Sequence, residues 1–143
     1  MQPELIHCGQ HVDHRGTITF LNEFNMEQVK RFYVIQNKDT EVVRAWRAHR
    51  VEQRWFHVAC GEFLMRVVKI ENWDLPDPNA EIQEFVLSAK NNQVLHLPKG
   101  YGSSIKAIEE DSKLIVFADY GIENASFDDY KYSPDYFTNQ SLK

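Results

Sequence analysis

Two adjacent stretches decide the fold: EVVRAWRAHR, which spans Glu41–Arg50, and QRWFHVACGEFLMRVVKI, which spans Gln53–Ile70. Both are rich in Val, Ile, Phe and Trp, residues that favour strands, and Gly61 divides the second stretch into two strand-length halves. Similar runs lie around them: TITFLNEF, KRFYVIQN, EIQEFVLS, NQVLHLP and SKLIVFADY. Seven or eight short strands separated by turn residues predict an all-β fold, with the sheet closed into a barrel or doubled into two layers.

The composition predicts one globular domain over residues 1–143. Of the 143 residues, 43% are hydrophobic and 26% are charged, which is enough to form a single core. A net charge of −5 argues against general affinity for nucleic acid or for an anionic membrane. No apolar run approaches the ~18–20 residues that cross a bilayer, and the start of the chain lacks a secretory signal. Cys8 and Cys60 are expected to be reduced thiols, so we expect a cytoplasmic protein.

The first stretch also carries a cluster of cations, Arg44, Arg47 and Arg50, with Arg54 close behind. Because side chains alternate along a strand, Arg47 and His49 are predicted to share one face, while Arg44 and Arg50 lie on the other. At least one guanidinium must therefore point into the barrel, where an unpaired charge is costly. Its partner is either a carboxylate of the protein or an anionic ligand, and the forked donors of arginine suit phosphate oxygens.

Six motifs resemble those of the small cupin sugar-nucleotide enzymes, in the same order and spacing: VDHRGTITFLNEF, KRFYVI, VRAWRAHRVEQ, FHVACGEFLMRVV, LHLPKGYGSS and LIVFADYGIENASFDDYKYSPDYF. The resemblance is greatest to the dTDP-4-keto-6-deoxyhexose 3,4-ketoisomerases, and more distant to the dTDP-4-keto-sugar 3,5-epimerases. It implies a cupin (jelly-roll) barrel that forms a homodimer and holds a nucleotide-linked sugar, with dTDP as the expected nucleotide. The acidic, aromatic tail over 122–143 is expected to pack on the barrel or on a partner subunit.

One strand departs from the pattern of these families. The ketoisomerases carry RGxHAH where this chain reads RAWRAH, so Arg47 replaces the first histidine and His49 retains the second. The resemblance implies that His49 shuttles a proton and that Tyr33 lies beside the sugar. The catalytic histidine of the 3,5-epimerases falls at Arg47, and their catalytic tyrosine falls near Phe117, so a standard 3,5-epimerase mechanism is not expected.

Metal-binding cupins provide a second comparison. Their ligands resemble an HxH pair, a following Glu and a final His in a PxGxxH segment. The four positions here read Arg47, His49, Glu52 and Ser103, so only two of the four could bind a metal. A catalytic zinc normally has three protein ligands. We therefore predict an enzyme without a metal or another cofactor.

The predicted reaction moves a carbonyl from C4 to C3 of a nucleotide-linked 4-keto-6-deoxyhexose through an enediol. A histidine with a pKa of about 6.5 is mostly neutral at pH 7, so His49 could carry the proton between the two carbons. Tyr33 or Tyr101 would donate to sugar oxygens, and Arg47 would stabilise the oxyanion, since a guanidinium cannot act as the base. His57 could line the pocket or pack in the core. The candidates for binding the diphosphate are Arg44, Arg31 and Arg15.

Two alternatives remain open at the level of sequence. The first is a 3- or 3,5-epimerase that acts on the same class of substrate. The second is a non-catalytic cupin that binds sugar nucleotides, which the loss of the first histidine favours.

Overall fold

The computed structural model describes residues 1–139; residues 140–143, the end of the predicted tail, lie outside them. A 3₁₀ helix spans Ile122–Asp128, between the last two strands. The predicted all-β fold is confirmed. The described residues form twelve strands: β1 (Glu4–His7), β2 (Gly9–Asp13), β3 (Gly16–Phe20), β4 (Arg31–Ile35), β5 (Val43–His49), β6 (Arg54–Cys60), β7 (Glu62–Lys69), β8 (Ile82–Ser88), β9 (Gln93–Leu97), β10 (Tyr101–Ala107), β11 (Lys113–Ala118) and β12 (Tyr130–Lys131).

Two five-stranded antiparallel sheets form the body of the molecule. The first has the strand order β1-β9-β6-β11-β4, and the second has the order β12-β5-β10-β7-β8. Phe56 and Val58 of β6 pack against Phe63 and Met65 of β7 in one buried cluster, so the apolar core lies between the two sheets. Burial of these alternating apolar side chains supplies the main driving force for folding. The core fills one part of this space, and the part between β4 and β5 is left for a cavity.

The described part of the C-terminal tail covers the outer face of the second sheet. Trp46 of β5 is buried against Phe137, with their ring centroids 5.1 Å apart and nearly perpendicular. The backbone of Trp46 also exchanges two hydrogen bonds with Tyr132, at 2.9 and 3.0 Å. The tail therefore extends both the apolar packing and the hydrogen bonding of this sheet.

A β-bulge in β5 changes which arginines share a face. Arg47 pairs with Ser103 of β10, but the next paired residue, Ile105, lies opposite Arg44. Two steps along β10 thus match three steps along β5, which is the pattern of a bulge. The predicted alternation, which separated Arg44 from Arg47, is therefore wrong, because the extra residue turns Arg44 to the same side of the sheet.

Strands β2 and β3 form a separate hairpin that is exposed along most of its length. Its turn is held by Asp13, whose carboxylate accepts a 2.8 Å hydrogen bond from the Arg15 guanidinium. Gly16 follows with a φ of +132°, a conformation that L-residues rarely adopt. Val12 and Ile18 are 65% and 60% exposed, so the hairpin presents apolar side chains that its own barrel does not cover.

Two further properties concern the cysteines and the helices. Cys8 and Cys60 are free thiols, as the sequence predicted. Within residues 1–139, no helix is long and apolar enough to cross a membrane.

Candidate active site

A cavity of about 920 Å³ lies between the inner faces of the sheets. Its volume is within the range of small-molecule sites, roughly 300–1,000 Å³. Strands β4, β5, β6 and β10 supply its walls. The 3₁₀ helix Ile122–Asp128, called the closing segment below, closes one side. The principal polar side chains that line it are Arg31, Tyr33, Arg44, Arg47, His49 and Arg54.

His49 lines this cavity and has one ring nitrogen without a partner in the described part of the chain. Its Nδ1 lies 2.7 Å from the backbone carbonyl oxygen of Asp128. A carbonyl can only accept, so Nδ1 carries the proton and Nε2 keeps its lone pair. Nε2 is buried and has no hydrogen-bond partner in the described part of the chain. Burial, and then the positive charge of Arg54, lower the pKa of His49 below its ordinary value. The ring is therefore neutral at pH 7 and can accept a proton.

Asp128 fastens the closing segment to the barrel. Its carboxylate is only 2% exposed and accepts hydrogen bonds from the backbone N–H groups of Arg50 at 2.8 Å, Val51 at 3.1 Å and Glu52 at 2.8 Å. These three residues form the turn that follows His49. One residue thus holds the turn with its side chain and orients the imidazole with its carbonyl. The role of Asp128 could not be predicted from the sequence, because it lies 79 residues from His49 and other acidic residues surround it along the chain.

Glu52 links two arginines at the inner wall of the cavity. It is buried, and its two carboxylate oxygens accept from Arg31 Nη2 at 3.1 Å and from Arg54 Nε in a close contact. Arg31 also donates through Nε to the carbonyl of Tyr120 at 3.1 Å. The sequence left open whether a buried guanidinium would meet a carboxylate or a ligand. At this wall a single carboxylate contacts two guanidinium groups, so one positive charge remains.

Tyr33 lies between these two cations. Its ring centroid is 5.3 Å from the Cζ atom of Arg31 and 5.9 Å from that of Arg54, within the range of cation–π contacts. Burial raises the pKa of Tyr33 above its ordinary value. The hydroxyl therefore stays protonated at neutral pH and is available as a hydrogen-bond donor.

The outer part of the cavity is also cationic. Arg44 donates through Nε to Asn37 Oδ1 at 2.7 Å. Arg47 is half exposed, and its Nε lies 3.0 Å from Asp129, whose other oxygen lies 3.8 Å from Lys131. Across the whole site, five cationic side chains line the cavity, against three carboxylates, those of Glu52, Asp128 and Asp129. The cavity of this acidic protein therefore has a local excess of positive charge, suited to an anion with several charges.

Three of the predicted site residues lie away from this cavity. Arg15 is on the exposed hairpin and pairs with Asp13. His57 points to the outer face of the first sheet, since its neighbours along β6, Phe56 and Val58, belong to the core; its Nδ1 lies 3.0 Å from the carbonyl of Gln93. Tyr101 is paired with His49 in the sheet, but it lines a second cavity of about 640 Å³.

The other five predicted residues do meet in the cavity: His49, Tyr33, Arg47, Arg44 and Arg31. Among residues 1–139, no group of three or more His, Cys, Asp and Glu side chains is placed to hold a metal ion. Glu52, which occupies a ligand position of metal-binding cupins, is engaged by two guanidinium groups instead.

The two facing antiparallel sheets, with a polar cavity inside, define a small cupin barrel of the kind found in dTDP-sugar isomerases and epimerases. Residues 1–141 match the family model described as "FdtA: WxcM-like, C-terminal", and the chain belongs to this family. No curated protein sequence matches it significantly.

Solved structures with the same fold cover nearly the whole chain. ChmJ, a 3'-monoepimerase from Streptomyces bikiniensis in complex with dTDP-quinovose, has 18% identity and a TM-score of 0.73, over 92% of this chain and 70% of its own. QdtA, a sugar 3,4-ketoisomerase from Thermoanaerobacterium thermosaccharolyticum in complex with TDP, has 18% identity and a TM-score of 0.73, over 95% and 92%. A 3,4-ketoisomerase from Helicobacter canadensis has 16% identity and a TM-score of 0.71, over 96% of both chains.

Proposed function

We propose that the protein is a metal-free isomerase that acts on a nucleotide-linked 4-keto-6-deoxyhexose and exchanges the carbonyl between C4 and C3. The observation that carries this proposal is the state of His49, a neutral imidazole with an unpartnered Nε2 in the wall of a cavity with excess positive charge. Such a group can remove the proton α to a ketone. The similar fold of two 3,4-ketoisomerases, one of which is known in complex with TDP-4-keto-6-deoxyglucose, supports the choice of substrate class.

In the first step, His49 Nε2 takes the proton from C3. The electron pair of the broken C–H bond forms the C3–C4 double bond, and the former C4 carbonyl oxygen becomes an oxyanion. In the second step, the protonated His49 returns its proton at C4, while the O3 hydroxyl loses its proton and becomes the new carbonyl. The O3 proton passes to O4, which becomes a hydroxyl, so protons and electrons balance and the reaction needs no oxidant or reductant. A positioned base of this kind contributes roughly 10²–10⁴-fold.

The other side chains bind and orient the substrate. The protonated hydroxyl of Tyr33 donates to the sugar oxygens, next to the cations of the inner wall. Arg44 and Arg47 lie toward the outer part of the site and hold the diphosphate, for which Arg47 exchanges Asp129 for a phosphate oxygen. Arg31 is a weaker phosphate ligand, because Glu52 and the carbonyl of Tyr120 already occupy two of its nitrogens.

We further propose a cytoplasmic homodimer that serves deoxysugar biosynthesis for polysaccharides. The apolar side chains of the β2–β3 hairpin are exposed in one copy, and a second copy would cover them. In such a dimer, Arg15 at the tip of this hairpin would lie near the opening of the cavity in the partner subunit. Light scattering of the purified protein at several concentrations tests the dimer, and a monomer at all of them contradicts it.

The function is tested by proton NMR of dTDP-4-keto-6-deoxyglucose in D₂O. We expect deuterium to enter the sugar and a 3-keto product to appear with the wild-type protein. The His49→Asn variant should bind dTDP with unchanged affinity but lose the exchange. Exchange at the normal rate in this variant would refute the role of His49.

A 3-epimerase is the second candidate, and the fold shared with a 3'-monoepimerase favours it. Epimerisation returns the proton to C3 from the opposite face, for which the protonated Tyr33 hydroxyl is the available acid. Deuterium at C3 with the 4-keto group retained would identify this reaction. Binding of dTDP without any exchange would instead identify a non-catalytic sugar-nucleotide-binding protein.

A further inference from the structure

Arg54 differs from the other cations of the cavity in how it is held. It is 8% exposed and projects from β6 into the cavity beside Tyr33. Its Nε is bound to Glu52, which fixes the plane of the guanidinium. Its two terminal nitrogens have no hydrogen-bond partner within residues 1–139, although the side chain lines the cavity. The terminal nitrogens are not among the buried atoms that lack a partner, so they reach the open space of the cavity, where a ligand oxygen could accept from them.

The remaining arginines are less suited to a charge that appears deep in the site. Arg31 is already bound to a carboxylate and to a backbone carbonyl. Arg47 is half exposed and paired with Asp129, so water and that carboxylate weaken its field. Arg44 lies five residues from His49 along β5, toward the outer part of the cavity, and its Nε is bound to Asn37.

We propose that Arg54, positioned by Glu52, donates through its terminal nitrogens to the sugar oxygen that becomes negatively charged in the enediolate. This inference rests on the proposed function and gives Arg54 the role that the sequence assigned to Arg47. The donors are fixed before the substrate binds, and their hydrogen bonds to the oxygen become stronger as its charge develops. They therefore lower the free energy of the transition state more than that of the bound substrate. The guanidinium keeps its proton throughout, because its pKa exceeds 12.

The same cation also acts on the base. Its charge lowers the pKa of His49, after the larger effect of burial, and so favours the neutral imidazole that the first step needs. A single group thereby serves both partners of the proton transfer, the base that accepts and the oxygen that becomes charged.

The test compares Arg54→Gln with the wild type in the deuterium-exchange assay, together with calorimetric titration of dTDP. Loss of a preorganised donor to an oxyanion costs roughly 10²–10³-fold in kcat. We expect a loss of that size, with KM and the Kd of dTDP changed by no more than about twofold, because the nucleotide does not use the terminal nitrogens. Normal exchange in Arg54→Gln would overturn the inference and leave the proposed function intact.

Two further variants separate this role from a structural one. Arg66→Gln removes a similar Arg–Glu pair, in which Arg66 Nε lies 3.1 Å from Glu84, but Arg66 is not part of the cavity wall. We expect it to retain normal exchange. If Arg54→Gln does not fold, Arg54→Lys provides the test. It retains the positive charge but loses the forked donors of the guanidinium. We expect at least a tenfold loss of kcat, with dTDP binding retained. A fully active Arg54→Lys would overturn the inference. A wild-type protein that binds dTDP without exchange would overturn the proposed function instead.

Discussion

Replacing Asp128 with Ala should destabilise the protein by several kcal/mol, although Asp128 lies in a segment without regular α or β structure. The carboxylate accepts from three backbone N–H groups, two of them at 2.8 Å and one at 3.1 Å to both of its oxygens. Hydrogen bonds to a charged group contribute about 1.5–3 kcal/mol each, but these three share one acceptor and are not additive. We expect a loss of about 3–5 kcal/mol in the free energy of unfolding, which lowers Tm by on the order of 10–20 °C.

Urea unfolding followed by tryptophan fluorescence measures this loss, since Trp46, Trp55 and Trp73 lie in or beside the barrel. Asp129→Ala is the matched control, because its carboxylate pairs with Arg47 and Lys131, which are 50% and 65% exposed. Exposed pairs of this kind contribute at most about 1 kcal/mol. If the two variants lose the same stability to within about 1 kcal/mol, the closing segment is not fastened through Asp128 and the reasoning fails.

Three other predictions concern His49 and Arg44. Because the pKa of His49 is lowered, its neutral form persists as the pH falls through 6.5. The value of kcat/KM should therefore decline only below pH 6.5. A midpoint above 6.5 in a pH–rate profile would contradict this prediction. The folded state also binds fewer protons than the unfolded one in that window, so the free energy of unfolding should decrease as the pH drops below 6.5. Arg44→Gln should weaken dTDP binding about tenfold and make this binding less dependent on salt, while deuterium exchange at saturating substrate is retained. Calorimetry at two salt concentrations measures the Kd. An unchanged Kd would show that Arg44 does not contact phosphate.

The sequence predicted the all-β fold and the shared face of Arg47 and His49 because both depend on local pattern, whereas the role of His49 inside the barrel was implied by the family resemblance. Strand residues alternate, turn residues separate them, and His49 follows Arg47 on the same face. The position of Arg44 could not be obtained in this way. It depends on a bulge that exists only in the pairing of β5 with β10, more than fifty residues away.

The missed members of the site have a similar origin. Glu52 was considered only as a metal ligand, since nothing in the local sequence shows that Arg31 and Arg54 converge on it. Asp128 lies among other acidic residues, and its role appears only when the turn after β5 meets the end of the 3₁₀ helix. The strands β1, β2, β10 and β12 were not predicted, because they are short, rich in polar or small residues, or both.

The attachment of the closing segment determines the path by which a substrate can enter. Lifting that segment would break the contact that sets the imidazole tautomer, so a route beneath it would disable the base at every turnover. The exposed Val34 and Val43 line the rim of the cavity, so we expect substrate and product to pass there without breaking this contact. The sugar would go in first and the nucleotide would remain nearest the opening, so a bulky nucleotide is tolerated more easily than a bulky hexose.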